Sequence, residues 1–205
     1  KNIGVYSLSD EDSYEGLGNK FDIRSWKALL IGDIFNDISS ALNAIAVNKV
    51  DAKIILEDEW QNIIESIVSG TDKQLYEQLA NSSEVLSKIK TTVNYDDAPK
   101  IALIGEIFVR NEEFSRVELI EKLNEKNVIV KTAPVSEFVH YANYLIKAGH
   151  TTDKYNFKSR LKFRIKKTVQ LSIEKKVRKI LSRSGFCESD VIDIEKSTGA
   201  ITVTE

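Results

Sequence analysis

Apolar residues in the first half of the chain recur at helical rather than strand spacing. From about Ser25, the residues Leu29, Leu30, Ile34, Ile38, Leu42 and Ile45 follow at steps of three and four, which puts them on one helical face. Gly32 lies inside this run, at a local cost of about 1 kcal/mol relative to Ala unless close packing needs it. A second helix is expected over about 57–69. Gly70 stops it, because glycine accepts the left-handed conformation that ends many helices. The sequence "TDKQ" at 71–74 has capping-box spacing and starts a third helix, expected to run to about Thr91. "NYDDAP" (94–99) breaks it. Ahead of all these, "IGVYSL" (3–8) reads as a short strand and "SDEDSYEGLGNK" as a polar loop.

The pattern changes after residue 99. "KIALI" is wholly apolar, as a strand covered on both faces would be. Ser115 and Glu118 have capping-box spacing and start a helix through Lys126, with Asn127 as its C-cap. "VIVK" (128–131) is the next apolar strand. Strand, helix and strand together make a βαβ unit with parallel strands. Ser136 caps a further helix that ends at Gly149. A long helix then covers about 155–184 and stops at Gly185. Its apolar positions Leu161, Ile165, Val169, Ile173 and Val177 repeat at four, so one face is expected to pack down. "VIDI" (191–194) and "AITVT" (200–204) are short strand candidates. The expected fold is helix-rich α/β, with a mostly parallel sheet in the second half. Residues 1–95 form a helical lobe, and residues 96–205 an α/β lobe ending in the long helix.

Composition narrows this reading. The chain has 205 residues, enough for one large domain or two small ones, and 42% are hydrophobic, enough for a core. No apolar run approaches the ~20 residues that span a bilayer, and the first residues have no apolar signal-peptide region. The single cysteine, Cys187, excludes a disulfide framework or an all-cysteine metal site within the chain. A cytoplasmic protein without a membrane partner is expected. Because the chain begins at Lys1, it is read as a fragment of something longer. The net charge of −2 hides a separation: residues 154–183 carry twelve Lys/Arg and one acid, Glu174, while the remainder is strongly acidic.

Candidate chemistry concentrates in "KIALIGEIFVRNEEFSR" (100–116). A dinucleotide fingerprint needs three glycines, and only Gly105 is present. A phosphate-cradling G-K-[ST] is also missing. The loop nevertheless leaves the carboxyl end of a parallel strand, where open α/β sheets place ligands. Glu106, Arg110 and Asn111 supply a carboxylate, a fork donor and an amide there, and Arg110 suits bidentate anion binding. The alternative is that Glu106 and Arg110 serve the scaffold. On the first helix, Asp33 and Asp37 stand one turn apart, which suits a shared cation or a proton-transfer pair. It equally suits two solvated or capping carboxylates.

The remaining features have plain readings beside functional ones. The basic helix could track phosphates, but only Tyr155, Phe157 and Phe163 interleave with its charges. An acidic partner or the chain's own acidic body is therefore favoured over nucleic acid. Its stripe is aliphatic and lacks Trp anchors, which disfavours a membrane surface. His140 and His150 are ten residues apart and cannot share a helical face as a zinc pair would, so no metal site is expected. Cys187 reads as a buried spectator. Trp26 and Trp60 read as core or interface anchors.

Over residues 99–141, "PKIALIGEIFVRNEEFSRVELIEKLNEKNVIVKTAPVSEFVHY" resembles the G-E-I-[FY]-V-R segment of CoA-substrate-specific enzyme activases, proteins similar to 2-hydroxyglutaryl-CoA dehydratase and benzoyl-CoA reductase subunits. "WKALLIGDIFND" (26–37) resembles that group's aromatic-then-Asp helix. The resemblance implies Rossmann-like lobes, anaerobic acyl-CoA chemistry and a 4Fe–4S cluster elsewhere in the full-length protein, because such clusters are held by cysteine thiolates and this chain has one. It implies no cofactor within this fragment, an acyl-CoA ligand, and other domains or subunits as partners. Gly105, Glu106, Val109, Arg110 and Asp33 match the motifs. On this view Arg110 engages an anionic group, Glu106 orients Arg110 or a substrate hydroxyl, and Gly105 permits close approach of the backbone.

Overall fold

The computed structural model describes residues 18–148 and 157–191. Among them run α1 (Gly18–Ile45), α2 (Lys49–Ser69), α3 (Asp72–Ser87), β1 (Lys100–Leu103), α4 (Ile107–Asn111), α5 (Glu113–Asn124), β2 (Ile129–Thr132), α6 (Val135–Ala148) and α7 (Phe157–Leu181), followed by a 3-10 turn at Ser182–Ser184. The strands expected over 3–8 and 200–204, His150 and the Gly149 helix end lie outside the described residues, as does all but Val191 of the strand expected over 191–194.

The long helix α1 organises the rest. Its stripe of Leu30, Ile31, Ile34, Ile38, Leu42 and Ile45 is fully buried, and the helix lies against α2, α5, α6, α7 and β2. By length and composition, Lys20–Ile45 would also suit a bilayer, against the expectation that no segment is apolar enough. Here 56% of its most apolar 18-residue window is buried inside the protein, as in a core helix. The core joins both halves of the chain, since Ile129, Val177 and Leu181 share one buried cluster with Ile63, Leu75 and Leu79.

Several helix ends depart from their sequence-based positions for local reasons. Helix α2 starts earlier than expected because the Asn48 side chain accepts the backbone N–H groups of Val50 and Asp51, both at 3.2 Å. The capping box of Thr71 and Gln74 starts α3 as expected. Helix α5 begins at Glu113, ahead of Ser115, because the Glu112 carboxylate accepts the N–H of Phe114 at 3.0 Å. Asn127 takes a left-handed φ of 59° after α5, which an asparagine tolerates better than most residues. Gly185, with φ +82°, ends the turn after α7.

Strands β1 and β2 pair in parallel, from Lys100 opposite Ile129 to Leu103 opposite Thr132, with α5 in the connection. Two expectations about exposure fail here. The apolar β1 was expected to be covered on both faces, yet Ile101 and Ala102, which alternate across the pleat, are both exposed. The inner strand is β2, whose Ile129 and Val130 are buried and which lies against α1. The stripe of α7 packs down only in its carboxyl half. Val177 and Leu181 are buried and Ile173 partly so, while Leu161, Ile165 and Val169 are exposed. The reason is the reach of α1 and α3, the helices against which α7 docks.

Candidate functional site

The residues singled out in the 100–116 segment gather at the carboxyl end of the two strands. Gly105 has φ +143°, a conformation that side chains rarely adopt. A Cβ there would meet nothing within 4 Å, so the position needs glycine for its backbone angle and not for close approach. Glu106 turns its carboxylate onto the start of α4, where it accepts the N–H groups of Phe108 at 2.8 Å and Val109 at 3.1 Å. Arg110 reaches across both strand ends: one terminal nitrogen donates to the Gly105 carbonyl at 3.2 Å and the other to the Pro134 carbonyl at 3.3 Å. Asn111 donates to the Ile107 carbonyl at 2.8 Å.

Asp33 meets the same turn from the other side. Its two carboxylate oxygens accept the N–H groups of Val135 at 3.0 Å and Ser136 at 2.8 Å, so a side chain of α1 caps α6. A carboxylate at a helix N-terminus also complements the positive end of the helix dipole. Ser136, expected to be the cap, instead lies inside the first turn, fully buried. The turn after β2 is therefore held by Arg110 through one carbonyl and by Asp33 through two amides. Two buried polar atoms at this turn lack a hydrogen-bond partner: Arg110 Nε and Ser136 Oγ. A second tie fixes β2 itself, because the buried Ser40 hydroxyl of α1 accepts the Val130 N–H at 2.9 Å and donates to the side-chain amide oxygen of Asn124 at 3.3 Å.

A second polar cluster, not anticipated from the sequence, lies where α6 and α7 meet α1. Glu174 is completely buried. His140 Nε2 lies 2.6 Å from one of its oxygens, and Arg178 Nε donates to the other at 2.9 Å. Burial opposes charge on Glu174, but the hydrogen bonds from His140 and Arg178 outweigh it and hold its carboxyl below the ordinary value. Trp26 meets the His140 ring edge-on at 5.6 Å and donates its indole N–H to the Gln170 carbonyl at 3.2 Å. The sequence signal was present: Glu174 is the lone acid of the basic stretch, four residues before Arg178.

Asp33, one turn away, adds to the raising of the Asp37 carboxyl, behind burial. Asp37 sits near Lys131 and Arg178, but each of these already pairs with another carboxylate, Lys131 with Glu188 at 2.8 Å and Arg178 with Glu174. Burial therefore dominates and pushes the Asp37 carboxyl up to about 6. The same surroundings push the Cys187 thiol up to about 12, chiefly by burial and then by the Asp37 charge, which makes it a poor nucleophile. Trp60 packs against Phe35 with ring centroids 5.0 Å apart, as a core anchor. Among the described residues, no group of three or more His, Cys, Asp or Glu side chains is placed to hold a metal ion.

No family model matches the chain, and comparisons with curated proteins and with solved structures find no relative.

Proposed function

We propose that this chain is an interaction module whose basic helix α7 docks an acidic partner or domain. The observation that carries this reading is the exposed first half of the α7 stripe: Leu161 is 52% exposed, Ile165 58% and Val169 39%. Three aliphatic side chains at four-residue spacing form a seam that a partner helix could fill. Arg164 and Lys166, both exposed, flank it with positive charge, so the complementary surface is acidic and apolar. The carboxyl half of the same helix anchors the seam rigidly to α1 and α3.

A direct measurement uses a synthetic amphipathic helix with glutamates flanking a leucine stripe. It should bind the wild-type chain, and the double reversal Arg164→Glu with Lys166→Glu should weaken binding at least about tenfold at low salt, with unchanged circular dichroism. Equal binding by both proteins, or none by either, sinks the reading. If single- or double-stranded nucleic acid binds in place of the peptide, with a steep loss on adding salt, the helix is a phosphate-tracking element instead.

A second reading follows from the segment's resemblance to the acyl-CoA activase and dehydratase group. On it, the chain is a scaffold and ligand-pocket lobe, not catalytic alone, with a Rossmann-like sheet completed by further strands. It is favoured by the unpartnered Arg110 Nε and Ser136 Oγ at the carboxyl end of the parallel strands. Glu106, Asn111 and Asp33 would support that pocket through the backbone and not by touching ligand. A 4Fe–4S cluster does not fit this chain's own residues, because one buried cysteine is no ligand set. Calorimetric titration with acyl-CoA esters should show heat for the wild type and about tenfold weaker binding for Arg110→Ala. Silence from both proteins up to ~1 mM ester, the limit of weak specific binding, removes the ligand pocket and leaves the scaffold.

A further inference from the structure

We infer that the α7 seam is the docking surface for the chain's own acidic segment, residues 9–17, which competes there with an outside partner. The inference rests on the reading of the seam as a surface for acidic, apolar partners, and it names the first occupant. Helices α1 and α7 run side by side in the same direction. The Trp26 indole donates to the Gln170 carbonyl at 3.2 Å, and further along Asp37 lies within reach of the Arg178 charge. Helix α3 runs with them, since Lys176 lies over the Tyr76 ring at 3.6 Å and Ser83 donates to the Ile180 carbonyl at 2.8 Å. It begins only at Asp72, one turn before Tyr76. The turns of α7 that carry Leu161, Ile165 and Val169 therefore extend past the start of α3, which is why it does not cover them.

The start of α1 stands at the same end of the molecule. Gly18 precedes Trp26 by eight residues and Leu161 precedes Gln170 by nine, so both helices reach about 12–14 Å beyond that contact. Gly18 takes φ +79°, a left-handed turn that ends the helix there. The sequence just ahead of it is acidic. Asp10, Glu11, Asp12 and Glu15 stand in "SDEDSYEGL" (9–17) with no Lys or Arg among them, and Tyr14 and Leu17 add apolar side chains. The seam offers the complement, an aliphatic row with the exposed Arg164 and Lys166 beside it. Residues 10–15 are three to eight positions from Gly18, a reach of up to about 10–29 Å. The seam from Leu161 to Val169 is about 12 Å long, well within that reach. A tether this short gives an effective concentration on the order of millimolar, so contacts too weak to hold a free peptide still seat the segment.

Carbodiimide coupling on the whole chain in dilute solution tests the contact, because it joins only carboxylates and amines that already touch. Cross-links from Asp10, Glu11, Asp12 or Glu15 to Lys166 are expected within the monomer. Competition is read with the same glutamate-flanked leucine helix at near-physiological salt. The triple variant Asp10→Asn, Glu11→Gln, Asp12→Asn should bind it at least about tenfold more tightly than the wild type. A control removing as many exposed charges elsewhere, Glu57→Gln, Asp58→Asn and Glu125→Gln, should stay within about twofold of the wild type, since screening mutes distant charges. Equal tightening by both triple variants, or none by the first, overturns the inference while the docking reading stands. So does coupling of the segment's carboxylates only to lysines outside α7. A peptide bound by none of the three proteins removes the docking reading, and this inference with it.

Discussion

Replacing Glu174 with alanine is expected to destabilise the protein by about 3–5 kcal/mol, read as a shift in its urea unfolding midpoint. The size of the effect comes from what is left behind. Arg178 is almost fully buried and receives its counter-charge from Glu174, and His140, equally buried, loses the acceptor for its ring nitrogen. An unpaired buried cation costs more than the pair contributes. The triple replacement of His140, Glu174 and Arg178 by apolar residues of similar volume should therefore lose far less than the single change. A triple variant as unstable as Glu174→Ala would show that the cluster contributes net stability. The pH dependence has a defined sign. Glu174 is held below its ordinary value of 4.5, so its contribution is full above that pH and is lost as the pH falls further.

Asp37 gives the opposite slope. Its carboxyl is raised from 3.8 to about 6, so between these values the folded protein binds more protons than the unfolded chain. Stability from this group is therefore fully present below pH 3.8 and falls as the pH rises through 6. A two-unit shift corresponds to roughly 2–3 kcal/mol at neutral pH. Asp37→Asn removes the charge while keeping the shape, and should stabilise the protein by up to about that amount at pH ~7 and by almost nothing at pH ~4. Unfolding curves for wild type and variant at the two pH values check it. A difference independent of pH would mean that the carboxylate is not desolvated in the folded state.

The local elements were largely legible in the sequence. The stripe from Leu30 to Ile45, the Thr71–Gln74 box and the parallel pair around "KIALI" and "VIVK" each depend on spacings of a few residues, which short-range patterns encode. The sequence named residues that the structure brings near one another, but it did not give their partners. Gly105, Glu106, Arg110, Asn111 and Asp33 do converge on the strand ends, where a crevice of an α/β sheet would lie. Their observed partners, however, are backbone groups. Asp33 caps a helix about a hundred residues away, and no local pattern carries that information.

What the sequence by itself determined is the set of elements and their amphipathic faces, because helix and strand periodicity arise from neighbours along the chain. Only the tertiary structure decided which faces find a partner. The same four-residue stripe of α7 is core at Val177 and surface at Ile165, because α1 and α3 reach one and not the other. The same apolar run in β1 that suggests a covered strand stands uncovered, because α1 lies against β2. Burial is a property of what packs against a residue, and so the exposed apolar faces of this protein appear only once the elements are placed.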